Sequence, residues 1–171
     1  MKRIYLIGFM GCGKSFIGKR LAKSLDYKWV DLDALIVERQ GCSIAQIFKE
    51  HGEAYFRELE TALLVESRQW DEVVISTGGG VIMAAENRSL LKQEKALYLE
   101  WKPQTLLKRI AQDKERPLAG DLDQLKALYE WRAPLYEEVA CQKIDCEKLS
   151  PQMLVMEIIK RMEETHENSC Y

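Results

Sequence analysis

The chain has 171 residues, 47% of them hydrophobic and 30% charged, with a net charge of −2. That length suits one domain with a proper core, and no Pro/Gly/Ser-rich linker divides it. The slightly acidic balance argues against a protein held to nucleic acid by phosphate contacts, and no apolar run approaches the roughly 18 residues that span a bilayer.

The N-terminus enters a strand-like pattern at once, with no signal-peptide h-region, so a cytoplasmic location is expected. "RIYLIG" (3–8) reads as a buried strand, a continuous apolar run ended by glycine. "SFIGKRLAKSL" (15–25) places Ile17, Leu21 and Leu25 at helical spacing. "YKWVDLD" (27–33) is a second strand running into acidic residues. From about 34 to 70 the pattern is helical, broken at "QGCS" and "EHGE", with Phe56, Leu59, Leu63 and Leu64 facing the core. "EVVISTGGG" (72–80) is a third strand ending in three glycines, and "KALYLEW" (95–101) a fourth. "PQTLLKRIAQ" opens on a proline suited to a helix N-terminus. "CQKIDC" gives a fifth, weaker strand, and a closing helix starts with Ser150 as N-cap and Pro151 behind it. Five cysteines, Cys12, Cys42, Cys141, Cys146 and Cys170, form no C-x-x-C pair. Reduced, packed thiols are expected rather than a zinc site or a disulfide framework.

Alternation of this kind implies an α/β three-layer sandwich, a mainly parallel sheet with helices on both faces. Ligands in such folds sit at the carboxyl ends of the strands. Three strand ends carry "GFMGCGKS", "DLD" and "GGG".

Gly8, Gly13, Lys14 and Ser15 satisfy G-x-x-x-x-G-K-[ST], the phosphate-binding loop, placed between a strand and a helix. The backbone of Gly11, Cys12, Gly13, Lys14, Ser15 and Phe16 is expected around the phosphates of a nucleoside triphosphate, with the helix N-terminus aimed at them. Lys14 would reach the β- and γ-phosphates, and the Ser15 hydroxyl would bind Mg²⁺. Cys12 is tolerated there because the backbone does the binding.

Triphosphate binding alone does not separate a switch, a motor and a kinase. N-K-x-D, which reads guanine in switches, is absent from the sequence, and the third strand ends without the acidic residue usual in motors. Asp31 and Asp33 follow the second strand instead. On an extended chain they point to one side, where one would sit by the metal and the other orient an incoming hydroxyl. The alternative is that Asp33 simply caps the next helix. The three glycines suggest something packed directly on the main chain, or else a flexible turn.

"GFMGCGKSFIGKRLA", "DLD", "FRELE", "STGGG", "ERPL" and "RAPLYEEVA" come in the order and approximate spacing of the shikimate kinase family, and from about residue 4 to 145 the chain resembles it. The resemblance implies a P-loop kinase fold like that of the nucleoside monophosphate kinases, with a five-stranded parallel sheet. It also implies a mobile lid at about 112–122 and a substrate-binding helical region at about 33–60, within one domain spanning 1–171. The reaction implied is ATP-dependent phosphorylation of the 3-hydroxyl of shikimate, toward chorismate and the aromatic amino acids. Arg57 and Arg132 match the arginines that grip the substrate carboxylate, a task suited to a planar guanidinium. Asp33 matches the residue that binds the ring hydroxyls and acts as base. Gly79 matches a backbone contact to shikimate, and Asp31 the acidic residue near Mg²⁺. Arg116, in "ERPL", matches the lid arginine that closes on the transferring phosphate and contacts ATP. Each arginine has a plainer alternative as a surface ion pair, Arg57 with Glu58 and Glu60 and Arg132 among glutamates. A monomer acting on ATP and shikimate, away from nucleic acid and membrane, is expected. The rival readings are a kinase of the same fold for another small hydroxylated acid such as gluconate, and an idle ATP-binding module that docks a partner protein.

Overall fold

The computed structural model describes residues 3–112 and 122–167. Five strands, β1 (Arg3–Ile7), β2 (Lys28–Asp31), β3 (Val73–Ser76), β4 (Ala96–Glu100) and β5 (Gln142–Asp145), form one sheet in the order β2-β3-β1-β4-β5. Every pairing is parallel, with Asp31 beside Ser76, Leu6 beside Ser76, and Ile7 beside Tyr98. The helices are α1 (Lys14–Leu25), α2 (Leu32–Gln40), α3 (Ile44–Ser67), α4 (Ala85–Leu91), α5 (Pro103–Gln112), α6 (Leu122–Val139) and α7 (Pro151–Glu167). A 3₁₀ turn covers Val81–Met83.

The five predicted strands are all present, each shorter by one to five residues than its apolar run. Covered on both faces, β1 and β3 are buried throughout, which is why they read as unbroken apolar runs rather than alternations. The predicted stripe on α3 is inside: Phe56, Leu63 and Leu64 are buried, and Leu59 packs against the core half-buried. Gly41 ends α2 with φ 67°, and Gly52 breaks α3 with φ 84° and ψ 168°, so both predicted interruptions are real. Ser150 caps α7 through its Oγ, which accepts from the Met153 N–H at 3.3 Å.

Two expectations are corrected. The second strand stops at Asp31, and Leu32 already begins α2. Asp31, not Asp33, is the N-cap: its Oδ1 accepts from the N–H of Asp33 at 3.1 Å and of Ala34 at 3.2 Å. A cap must keep extended backbone while the next residues turn, and Asp31 does so at φ −105° and ψ 119°. The two acids therefore are not alternate residues of one strand. The thiols also differ from one another: Cys12 and Cys146 are buried, while Cys141 is exposed. Among the described residues no helix is long and apolar enough to cross a membrane.

Chain order sends β2 and β3 to one side of β1 and β4 and β5 to the other. That reversal opens a crevice at the carboxyl end of β1, where the phosphate-binding loop lies.

Candidate active site

A cleft of about 600 Å³ opens there, lined on one side by Gly11, Gly13, Lys14, Ser15 and Phe16 and on the other by Asp33, Arg57, Glu60 and Arg132. Gly78, Gly79 and Gly80 form part of its wall, and Asp31 borders it beside Ser15.

The loop side follows from local backbone chemistry. Gly13 sits at the N-cap of α1 in a left-handed conformation, φ 94° and ψ 20°, which lets the chain turn sharply into the helix. The first amides of α1 have no partner within the helix and, with the helix dipole, favour an anion at this end. The Lys14 ammonium folds back on its own loop, donating to the Gly8 carbonyl at 2.8 Å and the Phe9 carbonyl at 3.1 Å. The Ser15 hydroxyl donates to Asp31 Oδ2 at 2.5 Å. One carboxylate thus caps α2 with one oxygen and meets the loop serine with the other. The Cys12 side chain is buried behind the loop and does not line the cleft. Its carbonyl accepts from Trp101 Nε1 at 2.9 Å, tying the loop to the end of β4.

The opposite side is a charged cluster set on bare backbone. Arg57 donates through Nη1 to Glu60 Oε2 at 2.9 Å and through Nη2 to Glu53 Oε1 at 3.0 Å. Glu60 has no exposed surface, while Glu53 is 65% exposed. Burial works against the charge of Arg57, but the two glutamates outweigh it and hold its pKa above the ordinary value. Glu60 is also held above its ordinary value, because burial, with Asp33 adding to it, exceeds what Arg57 and Arg132 return. The Arg132 guanidinium lies 6.0 Å from the Phe9 ring, and its buried Nε has no hydrogen-bond acceptor among the described residues.

The triple glycine accounts for how these charges fit. A Cβ on Gly80 would lie 2.4 Å from Arg57 Nη1, and one on Gly78 would lie 2.5 Å from Glu60 Oε1 and 2.8 Å from Asp33 Oδ1. The main chain is bare there first because this chain's own side chains rest on it. Ile44, Phe48 and Phe56 supply an apolar wall, with the two phenyl rings edge to face at 5.1 Å.

The structure thus brings Asp31, Asp33, Arg57, Gly79 and Arg132 to the cleft that Lys14 and Ser15 also line. Arg116 and most of the expected lid lie outside the described residues. The surface-pair alternative for Arg57 is corrected on one point: Glu60 is not on a charged outer face. It falls at the spacing of the core stripe Phe56, Leu63 and Leu64, and a lone acid on an apolar stripe is the signal that would have found it. Arg109 stacks on Trp101 at 4.3 Å and does not line the cleft.

Comparison with known proteins agrees with this geometry. The family model described as shikimate kinase matches residues 10–163. A shikimate kinase from Enterococcus faecalis is 44% identical over 169 residues, covering 96% of this chain and all of that protein. Among solved structures, the shikimate kinase of Acinetobacter baumannii in complex with shikimate superposes with a TM-score of 0.88 at 36% identity, over 96% of this chain and 94% of that one. A gluconokinase from Sinorhizobium meliloti aligns with a TM-score of 0.62 at 16% identity, over 99% and 98% of the two chains, a likeness of fold alone. With a family model covering most of its length and a full-length relative well above the range of chance similarity, the chain belongs to the shikimate kinase family.

Proposed function

We propose that this chain transfers the γ-phosphoryl group of ATP to the 3-hydroxyl of shikimate, giving ADP and shikimate 3-phosphate. The observation that carries the reading is the two-sided cleft. A phosphate-binding loop with Lys14 and Ser15 faces an acid, Asp33, and two arginines, Arg57 and Arg132, across a glycine wall.

Shikimate is a carboxylate with ring hydroxyls. Two guanidiniums suit the carboxylate end, since each offers parallel donors to its two oxygens. Glu60 and Glu53 fix the Arg57 guanidinium before any ligand arrives, so less is lost in ordering it on binding. The apolar wall of Ile44, Phe48 and Phe56 suits the ring face. Asp33 orients the acceptor hydroxyl and takes its proton as the hydroxyl oxygen attacks the γ-phosphorus and ADP leaves. Lys14 would exchange its two loop carbonyls for phosphate oxygens, which are stronger acceptors.

The donor set beside the loop suits Mg²⁺: Ser15 Oγ and Asp31 Oδ2 are hard oxygen atoms already facing each other. Bound there, the ion would neutralise charge on the β- and γ-phosphates. Arg116 and the lid keep the roles that the resemblance implies, closing on the phosphate and excluding water.

Mass spectrometry of shikimate incubated with ATP, Mg²⁺ and the protein tests the proposal. A product heavier by one phosphoryl group is expected, and gluconate in its place should give none. Asp33→Asn should abolish transfer while leaving ATP affinity nearly unchanged. Phosphorylation of gluconate in preference to shikimate, or full activity in the Asn variant, would overturn the reading.

A further inference from the structure

The Tyr136 hydroxyl donates to the carbonyl of Gly79, across 57 residues of chain. We infer that Tyr136 is a positioning residue of the acceptor site, which sets the main-chain surface on which the substrate and Arg57 rest. This inference builds on the acceptor reading of the cleft.

Tyr136 has no exposed surface, and its ring stacks on Tyr98 of β4 at 5.2 Å with 24° between planes. The ring is therefore fixed by the sheet, and its hydroxyl approaches Gly79 from the core side. The carbonyl it holds belongs to the peptide joining Gly79 to Gly80. That peptide is trans and planar, so a carbonyl anchored toward the core sends the Gly80 N–H the opposite way, toward the cleft. Among the described residues the Gly80 N–H has no backbone acceptor. The same glycine is the floor under the Arg57 guanidinium. One hydrogen bond thus fixes a cleft-facing donor and the support of an acceptor-side cation.

The Val81 N–H closes a turn on the Gly78 carbonyl at 3.2 Å around this peptide. With glycine on both sides, however, the peptide can flip within such a turn at little steric cost, and the Tyr136 hydroxyl selects one orientation. Burial holds the Tyr136 phenol well above its ordinary pKa, against the opposing charge of Arg132, so it remains a donor across the working pH range. Tyr136 also lies one helical turn beyond Arg132 on α6. The helix that supplies an acceptor-side arginine therefore clamps the glycine wall as well.

Tyr136→Phe removes the hydroxyl and keeps the ring stack. The expected result is a roughly tenfold rise in KM for shikimate, with KM for ATP and kcat within about twofold of the parent. Amide hydrogen exchange at Gly80, followed by NMR, should quicken about tenfold. Tyr98→Phe is the matched control. It removes an equally buried hydroxyl, 3.4 Å from that of Tyr129, that does not touch the glycines, and should move neither readout. In the parent, the Tyr136 hydroxyl proton should exchange slowly and show a nuclear Overhauser contact to the Gly79 or Gly80 α-protons. Its absence overturns the proposal even if the variant does not fold. Unchanged Gly80 exchange in Tyr136→Phe, or equal changes in both substrates' KM values, overturns it too. A parent that leaves shikimate untouched sinks the acceptor reading instead, and the amide measurements still decide what Tyr136 does.

Discussion

Arg57 Nη1 lies 2.9 Å from Oε2 of Glu60, a carboxylate with no exposed surface, while the arginine itself is 25% exposed. The pair is arranged to serve the arginine: the buried partner is fixed by helix packing, and the cation reaches from it into the cleft.

Removing the anchor should therefore affect the acceptor more than the fold. Glu60→Ala leaves Arg57 with only the exposed partner Glu53, and KM for shikimate should rise tenfold or more. Breaking a buried pair costs several kcal/mol, but a partly exposed arginine recovers some hydration, so a loss of about 1–3 kcal/mol is expected. Urea unfolding and acceptor kinetics on the same preparation check both figures. Parent-like KM in Glu60→Ala would show that Glu53 alone suffices.

The raised pKa of Glu60 gives a second test, with a definite sign. Burial favours its protonated form in the folded state, with Arg57 opposing and Asp33 adding to the rise. An acid whose folded pKa is raised contributes most to stability below its unfolded pKa, and the contribution is lost as pH climbs through the folded value. The stability of the parent relative to Glu60→Gln should thus fall as pH rises from about 4.5, the ordinary value, and level off above the raised one. Acceptor binding should run the other way, because only ionised Glu60 holds Arg57 by charge. Denaturant midpoints and shikimate KM, measured for both proteins across that interval, check the two slopes. A relative stability that is flat or rises with pH would contradict the burial argument.

The parts of this site that were legible in the sequence are those written in local backbone chemistry. The G-x-x-x-x-G-K-S spacing between a buried strand and a helix is specific to phosphate cradling, so Lys14 and Ser15 are readable. Asp31 and Asp33 read as a pair in the sequence for a reason that fails. Periodicity of two applies only while the strand lasts, and the strand ends where the Asp31 carboxylate accepts from the amides of Asp33 and Ala34. Both acids reach the cleft because the β2–α2 corner, not the strand, aims them. Glu60 was hidden by an assumption about charge. A Glu three residues from an Arg reads as a surface pair, although its spacing from Phe56 and Leu63 already puts it on the face that turns inward, where both are buried. Tyr136 stands within the stretch RAPLYEEVA, yet its partner lies 57 residues away, a distance no local pattern encodes.

The glycine wall predicts that a single methyl group separates folding from function. In Gly80→Ala the new Cβ would lie 2.4 Å from Arg57 Nη1, the end of a flexible side chain, so the guanidinium should swing aside without backbone strain but with loss of its pairing to buried Glu60. Gly80 has φ −97° and ψ 0°, which alanine can adopt. The expected outcome is a protein that still folds, destabilised by about as much as Glu60→Ala, about 1–3 kcal/mol, with a kcat/KM for shikimate lower by one to two orders of magnitude. ATP binding, read by nucleotide titration, should be unaffected. A loss of ATP affinity equal to the loss of acceptor activity would place Gly80 in a different role.

Asp31 permits the two duties of one carboxylate to be separated. Its Oδ1 caps α2, and its Oδ2 faces the Ser15 hydroxyl. Asparagine caps a helix about as well as aspartate, so Asp31→Asn should stay within about 0.5 kcal/mol of the parent, while Asp31→Ala should lose about 1 kcal/mol with the cap. Neither variant keeps a negative charge next to the serine, and a divalent cation held near that position loses its attraction equally in both. The Mg²⁺ concentration giving half-maximal activity should accordingly rise several-fold in both variants, although only the alanine variant is less stable. Magnesium titrations at saturating ATP and shikimate, set beside urea unfolding without nucleotide, separate the two effects. If the magnesium requirement followed stability, shifting in the alanine variant and not in the asparagine one, Asp31 would be a helix cap that happens to lie beside the loop.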